Sequence, residues 1–439
     1  MKNTISKLTL VAGLLFSQLA ISQTYHSNHV CGHDMAVQQM ENNYPGYKQV
    51  VNTTFQQAKL TGEQAGMDKA TLTIPVVVHV VWNTNAPASN ISNTQVEAVI
   101  ASLRADYQRQ NADATNLRAI FNPIAGNPEI NFTIAGIERV ETTAFFSLSF
   151  SGLPDNVKKT AQGGNDAWDP QRFLNIWVCN IEEGFLGKLL GYSYPPAGLA
   201  NWPAGTAAPS ADLDGVVIHY EAFNTNGTVN MPDANGGTVA LPMKGRTVSH
   251  EVGHYLGLRH IWGDKADIFA ADDCATDDGI SDTPLQLGQS MFDCNVTNNT
   301  CDEGANDKPD LIENYMDYSR ETCMNTFTQG QVNLMRGVLA DQRAGLVTPF
   351  TSINEYSNKI NISVSPNPTS DIVNINYVTE NIVQSYTLTI KDMLGRNVKT
   401  IQGTGNISQT LDLSSYNSGI YTVNVQINDK VVTKKIILN

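Results

Sequence analysis

Eleven consecutive residues, His250-Glu251-Val252-Gly253-His254-Tyr255-Leu256-Gly257-Leu258-Arg259-His260, hold three of the chain's eight histidines. On a helix, His250 and His254 lie on one face, one turn apart, so their imidazoles can grip a single metal ion. Glu251 projects beside them without having to be a ligand. Gly257 can take backbone angles closed to other residues, and a sharp exit from the helix there would return His260 as a third ligand. Three protein ligands leave one position of a tetrahedral zinc ion open for water, which separates a catalytic centre from a closed structural one.

The chemistry this implies is hydrolysis. A zinc ion in such a site lowers the pKa of its bound water to roughly 7. A carboxylate at Glu251 is placed to take the water's proton and hand it to a leaving amine. A bare H-E-x-x-H can fall on a surface helix by chance. Gly257 and His260, each a specified residue at a fixed offset, complete the long form H-E-x-x-H-x-x-G-x-x-H and cut that chance steeply. Downstream, Asn314-Tyr315-Met316-Asp317-Tyr318 supplies a methionine that can form a hydrophobic floor beneath the histidines. In isolation Met316 would read as an ordinary core methionine.

These residues need a scaffold. With 439 residues, 41% of them hydrophobic and 16% charged, the chain is long enough for two or three domains and a large core. Thr73–Trp82 (TIPVVVHVVW) is a near-continuous β-branched run, as expected of a strand buried on both faces. In Ser92–Arg109, Val96, Val99, Ile100, Leu103 and Tyr107 recur at helical spacing. Further strands are expected at Ile130–Ile134, Phe173–Cys179 and Gly215–His219. Strands mixed with helices ahead of the histidine helix predict an α/β domain. Stretches 195–212 and 222–242 are rich in Pro, Gly, Ala and Asn and read as loops. Residues 264–312, with many Asp and Asn, are costly to order without cross-links or an ion. Gln329–Ala344 returns to helix, with Gly345 as its expected stop. Residues 23–70 are polar with weak periodicity and do not read as an independent core. From 360 onward, Ile360–Val364, Ile372–Tyr377, Tyr386–Lys391, Gly419–Ile427 and Val431–Leu438 alternate in the manner of a small β-sandwich.

The balance of 28 basic against 42 acidic residues, net −14, repels phosphate backbones and argues against nucleic acid as a partner. Lys2 and Lys7, the apolar run Leu8–Phe16 and the small residues around Ala20-Ile21-Ser22 read as an export signal, with the mature chain starting near Gln23. That run is too short to span a bilayer, and no later segment is apolar enough to do so. Of the six cysteines, Cys274, Cys294, Cys301 and Cys323 crowd into the irregular stretch. In an exported protein they read as two disulfides, and three pairings are open. No C-x-x-C pair supports a second zinc site. Cys31, followed by Gly32 in the polar N-terminal stretch, could fill the open zinc position as a thiolate and hold the site inactive. The alternative is an incidental or disulfide-bonded cysteine. His29, His33 and Asp34 are weaker candidates for the same task.

HEVGHYLGLRH, DDGISDTP at 277–284, and NYMDY followed by CMNTFTQGQ at 323–331 together resemble the pappalysin family of metzincins. TIPVVVHVVW and FLNIWVCNIEEGFLGKLLGYSYPP fit the strands of that family, and the resemblance spans about residues 70–345. It implies a metzincin α/β (α+β) catalytic domain, with a twisted mixed sheet above the cleft and an irregular C-terminal subdomain below. A substrate peptide would lie antiparallel to an edge strand, for which Leu189-Leu190-Gly191-Tyr192 is the candidate. The resemblance implies that Tyr318 lies near the zinc and hydrogen-bonds the reaction intermediate. It also implies structural calcium, with Asp278 and Thr283 as the best matches and Asp277 and Asp282 nearby, ligands of the right hardness. The implied disulfides are Cys274–Cys301 and Cys294–Cys323. One departure concerns specificity: relatives that cleave beside Arg or Lys place an Asp just before the cysteine after the methionine turn, and this chain has Thr322 there, behind Arg320 and Glu321.

SVSPNPTSDIVNI at 363–375, KDMLGRNV at 391–398 and LSSYNSGIYTVNV followed by KKIIL resemble a type IX secretion sorting domain. That resemblance implies an address read by the export machinery rather than a catalytic part. The expected organisation is a signal peptide (1–22), a propeptide (23–70), a catalytic domain (71–347) and a sorting β-sandwich (357–439). The product is expected to be a secreted or cell-surface zinc endopeptidase, exported through the periplasm and made as a latent zymogen acting on proteins or peptides. A rival reading is a binding protein with a vestigial metal site, and a second is a metzincin of another subfamily.

Overall fold

The computed structural model describes residues 31–64, 70–149, 152–183, 187–196, 211–232, 237–264, 273–348, 363–377, 385–393, 395–404, 407–427 and 430–439. The expected signal peptide, the start near Gln23 and His29 lie outside them. The chain divides into two compact units between Thr348 and Pro349.

In the first unit, helices α1 (His33–Asn43) and α2 (Tyr47–Gln64) precede strand β1 (Leu72–Asn83) and helix α3 (Asn93–Tyr107). Strands β2 (Ala125–Gly126), β3 (Ile130–Thr142), β4 (Phe146–Ser147), β5 (Leu174–Cys179), β6 (Ile181–Glu182), β7 (Gly191–Ser193) and β8 (Val216–His219) follow. A hairpin of β9 (Thr228–Pro232) and β10 (Thr238–Pro242) leads into helix α4 (Arg246–Tyr255), and the unit closes with β11 (Phe327–Thr328) and helix α5 (Gln329–Ala340).

The main sheet has the order β3-β1-β5-β8-β7, parallel except for the antiparallel edge strand β7. β1 pairs on both sides, and its residues Ile74, Val76, Val77, Val78, Val80 and Val81 have no exposed surface, as a β-branched run without alternation requires. Helix α3 starts where Ser92 accepts a hydrogen bond from Gln95 N, and it buries Val96, Val99, Ile100, Leu103 and Tyr107. These residues share one core with the face of α4 that carries Val248, Val252 and Tyr255.

Three local expectations differ from the structure. Part of 222–242 is the β9–β10 hairpin, where Val229, Met231 and Leu241 are buried and the residues between them are exposed or half-buried. The Asn- and Pro-rich surroundings hide this short alternation. Helix α5 stops at Ala340 instead of running to Gly345: beyond it Arg343 pairs with Asp214 (2.5 and 2.8 Å) and stacks over Tyr255, a long-range contact that no local signal announces. Residues 33–64 form two helices. Their buried positions include Ala36, Thr54, Ala58 and Gly62, too small or polar to give a hydrophobic period. At Gly62 and Gly337 an added Cβ would strike the backbone of the opposite helix, so α2 and α5 approach with almost no side chain between them.

The second unit is a sandwich of two antiparallel sheets. Strands β12 (Ser363–Ser365), β13 (Ile372–Tyr377), β14 (Tyr386–Lys391), β15 (Asn397–Gly403), β16 (Ile407–Asp412), β17 (Gly419–Ile427) and β18 (Lys430–Leu438) arrange as β12-β13-β16 and β15-β14-β17-β18. Val373, Ile375, Leu388, Ile390, Val423, Val425 and Ile436 fill its core. Strands β15 and β16 were not foreseen, and the expected strand at Ile360–Val364 starts at Ser363, with 360–362 outside the described residues.

Candidate metal centre

Helix α4 ends in a Schellman turn. Gly257 N donates to His254 O (2.9 Å), Leu258 N donates to Gly253 O (2.9 Å), and Gly257 takes φ +93°. The turn carries His260 back over the helix. His254 Nε2 then lies 3.1 Å from both His250 Nε2 and His260 Nε2.

Each ring is fixed from behind. His250 Nδ1 meets Tyr315 O at 2.7 Å, His254 Nδ1 meets Leu258 O at 2.8 Å, and His260 Nδ1 meets Asp264 Oδ1 at 3.2 Å. The carbonyls accept, so Nδ1 carries the proton of His250 and His254 and their Nε2 lone pairs face inward. Burial pushes His250 down to about 3 and His254 well below its ordinary value, which keeps both rings neutral. Lone pairs held 3.1 Å apart repel unless a cation sits among them. Tetrahedral bonds of about 2.0–2.1 Å place ligand nitrogens about 3.3 Å apart, close to the spacing here. The residues present fit zinc.

Glu251 is fully buried next to this group, and neither carboxylate oxygen has a well-aligned hydrogen bond. Burial pushes the carboxyl up to about 8, with Cys31, His33 and Ser193 drawing it back down. Tyr318 OH lies 3.0 Å from His260 Nε2. Met316 lies beneath α4, where a Cβ on Gly253 would run into its sulfur. Trp262 stacks on the His260 ring at 4.6 Å.

Cys31 joins the same cluster. Its Sγ and ligand nitrogens of His250, His254 and His260 all lie within 4.8 Å of one another. The segment is held there by a parallel bridge between Cys31 and Gly191, with Gly32 N donating to Gly191 O (2.9 Å). His33 stacks on His254 at 3.9 Å and meets Asp264 Oδ2 at 3.3 Å. Asp34 Oδ1 lies 3.8 Å from His260 Nδ1.

Sequence reasoning missed the groups that hold this frame. Asp106 on α3 accepts from Ser249 Oγ (2.7 Å) and Tyr315 OH (2.9 Å) and faces Arg246 Nε at 3.7 Å. It thereby ties the histidine helix to the methionine turn. Burial pushes Asp106 up to about 6 against the pull of Arg246. Asp264, four residues after His260, orients that ring. Its offset was a usable signal, whereas Asp106 lies too far away in sequence to give one.

In the acidic loop, Asp278 and Thr283 come together: Asp278 Oδ1 accepts from Thr283 Oγ1 (2.7 Å) and Ile280 N (2.9 Å). Asp278 Oδ2 is buried with no partner, and burial pushes this carboxyl up to about 8. Asp282 accepts from Gly330 N (2.8 Å) with its other oxygen unpartnered, while exposed Asp277 accepts from Gly279 N (2.8 Å). Among the described residues these three carboxylates do not converge into one cluster. Disulfides Cys274–Cys301 and Cys294–Cys323 pin the loop, in the pairing that the resemblance implies, and Cys31 and Cys179 are free and buried.

Comparison with known proteins agrees with this arrangement. The peptidase M43 family model, described as pregnancy-associated plasma protein-A, matches residues 158–340, and a secretion system C-terminal sorting domain matches 363–439. A mutant of promirolysin from Tannerella forsythia is 35% identical with a TM-score of 0.57, covering 73% of this chain and 100% of its own. Mature mirolysin from the same organism, in complex with a cleaved peptide, is 37% identical with a TM-score of 0.51, covering 64% and 99%. An extracellular metalloprotease of Arthroderma benhamiae is 28% identical over 288 residues, 65% of this chain and 84% of its own.

Proposed function

The chain belongs to the pappalysin family of metallopeptidases, and on that premise we propose that it is a secreted zinc endopeptidase held latent by its own N-terminal segment. The observation that carries this is the meeting of His250, His254, His260 and Cys31 around one point, with Glu251 beside it.

The three imidazoles would hold a zinc ion, which when bound would supply an activated water and polarise the scissile carbonyl. Glu251 takes the water's proton and returns it to the leaving amine. Tyr318 OH, 3.0 Å from His260 Nε2, donates to the oxyanion that develops on the substrate. Met316 and Gly257 keep the histidine geometry, one by packing and one by its turn.

Cys31 is the latency ligand. Burial and the Glu251 charge push its thiol well above the ordinary range, so a cation at the histidines is what would hold it as thiolate. The segment runs parallel to β7, whereas a substrate would run antiparallel, so it occupies the cleft without offering a bond in the cutting orientation. Helices α1 and α2 continue the propeptide, taken as 23–70, and the catalytic domain is taken as 71–347. Asp278 and Thr283, with Asp277 and Asp282 nearby, take calcium: a buried carboxylate oxygen without a donor fits a hard cation. The C-terminal sandwich, taken as 357–439, is the address read by type IX machinery after passage through the periplasm. Among the described residues no helix is long and apolar enough to cross a membrane.

The test is cleavage of a denatured protein by the processed full chain, with and without a chelator, beside Glu251→Ala. Chelation should abolish cleavage and zinc should restore it. Glu251→Ala should lose about 10²–10⁴-fold in kcat while still binding zinc. Full activity in that variant would sink the mechanism.

A further inference from the structure

Lys158 has no exposed surface, yet the peptidase chemistry makes no use of its charge. It ends a short 3₁₀ turn (Asp155–Lys158). A buried ammonium is costly unless it is paired and its donors are used. Here Nζ lies 3.0 Å from Asp155 Oδ1 and donates to Leu213 O (2.7 Å). Three aromatic rings surround it, with centroids at 4.4 Å (Tyr194), 4.8 Å (Tyr192) and 5.6 Å (Trp177). Asp155 in turn accepts from Tyr192 OH at Oδ1 (3.1 Å) and from Tyr194 OH at Oδ2 (2.5 Å).

These two tyrosines flank Ser193 on the edge strand β7. Side chains alternate along a strand, so Tyr192 and Tyr194 turn toward Lys158 while Gly191 and Ser193 turn toward the metal centre. A Cβ on Gly191 would lie 2.9 Å from Glu251 Cγ, and Ser193 is among the groups that draw the Glu251 carboxyl down. Among the described residues, the sheet pairs β7 with β8 alone, over three residues. Leu213, whose carbonyl accepts from the ammonium, leads into β8. One cation thus reaches the back of β7 and the approach to its neighbour.

We infer that Lys158 is a positioning residue: through Asp155 and the two tyrosine hydroxyls it sets where β7 stands over Glu251, and so how well a substrate backbone pairs with that strand. The inference rests on the peptidase reading above. A misplacement of about 1 Å in a positioning element can cost about 10²-fold in rate. A neutral side chain of similar length would fill the same space but leave the Asp155 carboxylate without its cation, and the tyrosine hydroxyls with a partner no longer held in place.

The experiment compares the processed full chain with Lys158→Met and with Lys158→Met/Asp155→Asn. The substrate is a quenched fluorescent peptide taken from a casein site that the wild type cuts. Melting temperature and bound zinc are measured on the same samples. Lys158→Met should raise KM at least about tenfold, change kcat by less than about threefold, and keep its zinc. It should also melt lower, because Asp155 stays charged beside the rings without its cation. The double variant removes both charges and should regain the wild-type melting temperature while KM stays raised. Recovery of KM along with the melting temperature, or loss of folded, zinc-bound protein in both variants, would make Lys158 a structural residue only and overturn the inference. An unchanged KM in folded Lys158→Met would overturn it too, and each of these results leaves the peptidase reading intact. An absence of chelator-sensitive cleavage by the wild type would overturn that reading and the inference with it.

Discussion

Replacing Asp278 by Asn should have opposite effects with and without calcium. Asp278 has no exposed surface, one oxygen without a donor, and a carboxyl pushed from 3.8 to about 8 by burial. A carboxyl whose folded pKa is raised contributes its full stability below the unfolded pKa. It loses that contribution as pH rises toward the folded value. At pH 7 the charge thus costs the calcium-free fold up to roughly 4 kcal/mol, from about 3 pH units at 1.36 kcal/mol each. Asn removes the charge but leaves an amide donor unsatisfied, at about 1–3 kcal/mol, so a net gain of about 1–3 kcal/mol remains. Calcium at 1,000 times its Kd would favour the wild type by about 4.1 kcal/mol and reverse the order. The assay is urea unfolding followed by tryptophan fluorescence between pH 4 and 8, in a Glu251→Ala background that prevents self-cleavage. All five tryptophans lie in the first unit, so the signal reports on it. In chelator, Asp278→Asn should gain on the wild type as pH rises, and excess calcium should invert the ranking. Parallel pH curves that ignore calcium would refute the argument.

Two further substitutions probe the centre. If Cys31 is the latency ligand proposed above, Cys31→Ala should let the unprocessed full chain cleave a quenched fluorescent protein substrate at least about tenfold faster than unprocessed wild type, since no thiolate would then fill the open position. Equal latency in both would assign masking to α1 and α2. Tyr318→Phe should lower kcat by about 10²-fold with KM nearly unchanged, the mark of a donor used only in the transition state. A rise in KM at constant kcat would make Tyr318 a substrate-binding residue.

Much of the centre was legible because its signals are local. Helical period sets His250 and His254 on one face, and a glycine three residues past His254 permits the left-handed turn. The β-branched run of β1 read correctly as a strand covered on both faces. The β9–β10 hairpin and helices α1 and α2 were harder to see. Their buried faces interrupt large residues such as Met40, Tyr47 and Phe55 with small or polar ones, and neighbours elsewhere in the chain complete their cores.

The sequence by itself determined which atoms could bind a metal and which carboxylate could move a proton, since fixed offsets on one helix and one turn settle both. Only the tertiary structure decided what surrounds them. Asp106 joins α3 to α4 and to the methionine turn across more than a hundred residues, and Cys31 reaches the histidines from more than two hundred residues away. Whether Glu321 and Arg246 are free to meet a substrate or already spent on Thr247, Lys244 and Asp113 also depends on long-range partners. The physical reason is common to all three. Desolvation and hydrogen bonding act through space, so a residue's charge, reach and availability depend on neighbours that local spacing does not specify.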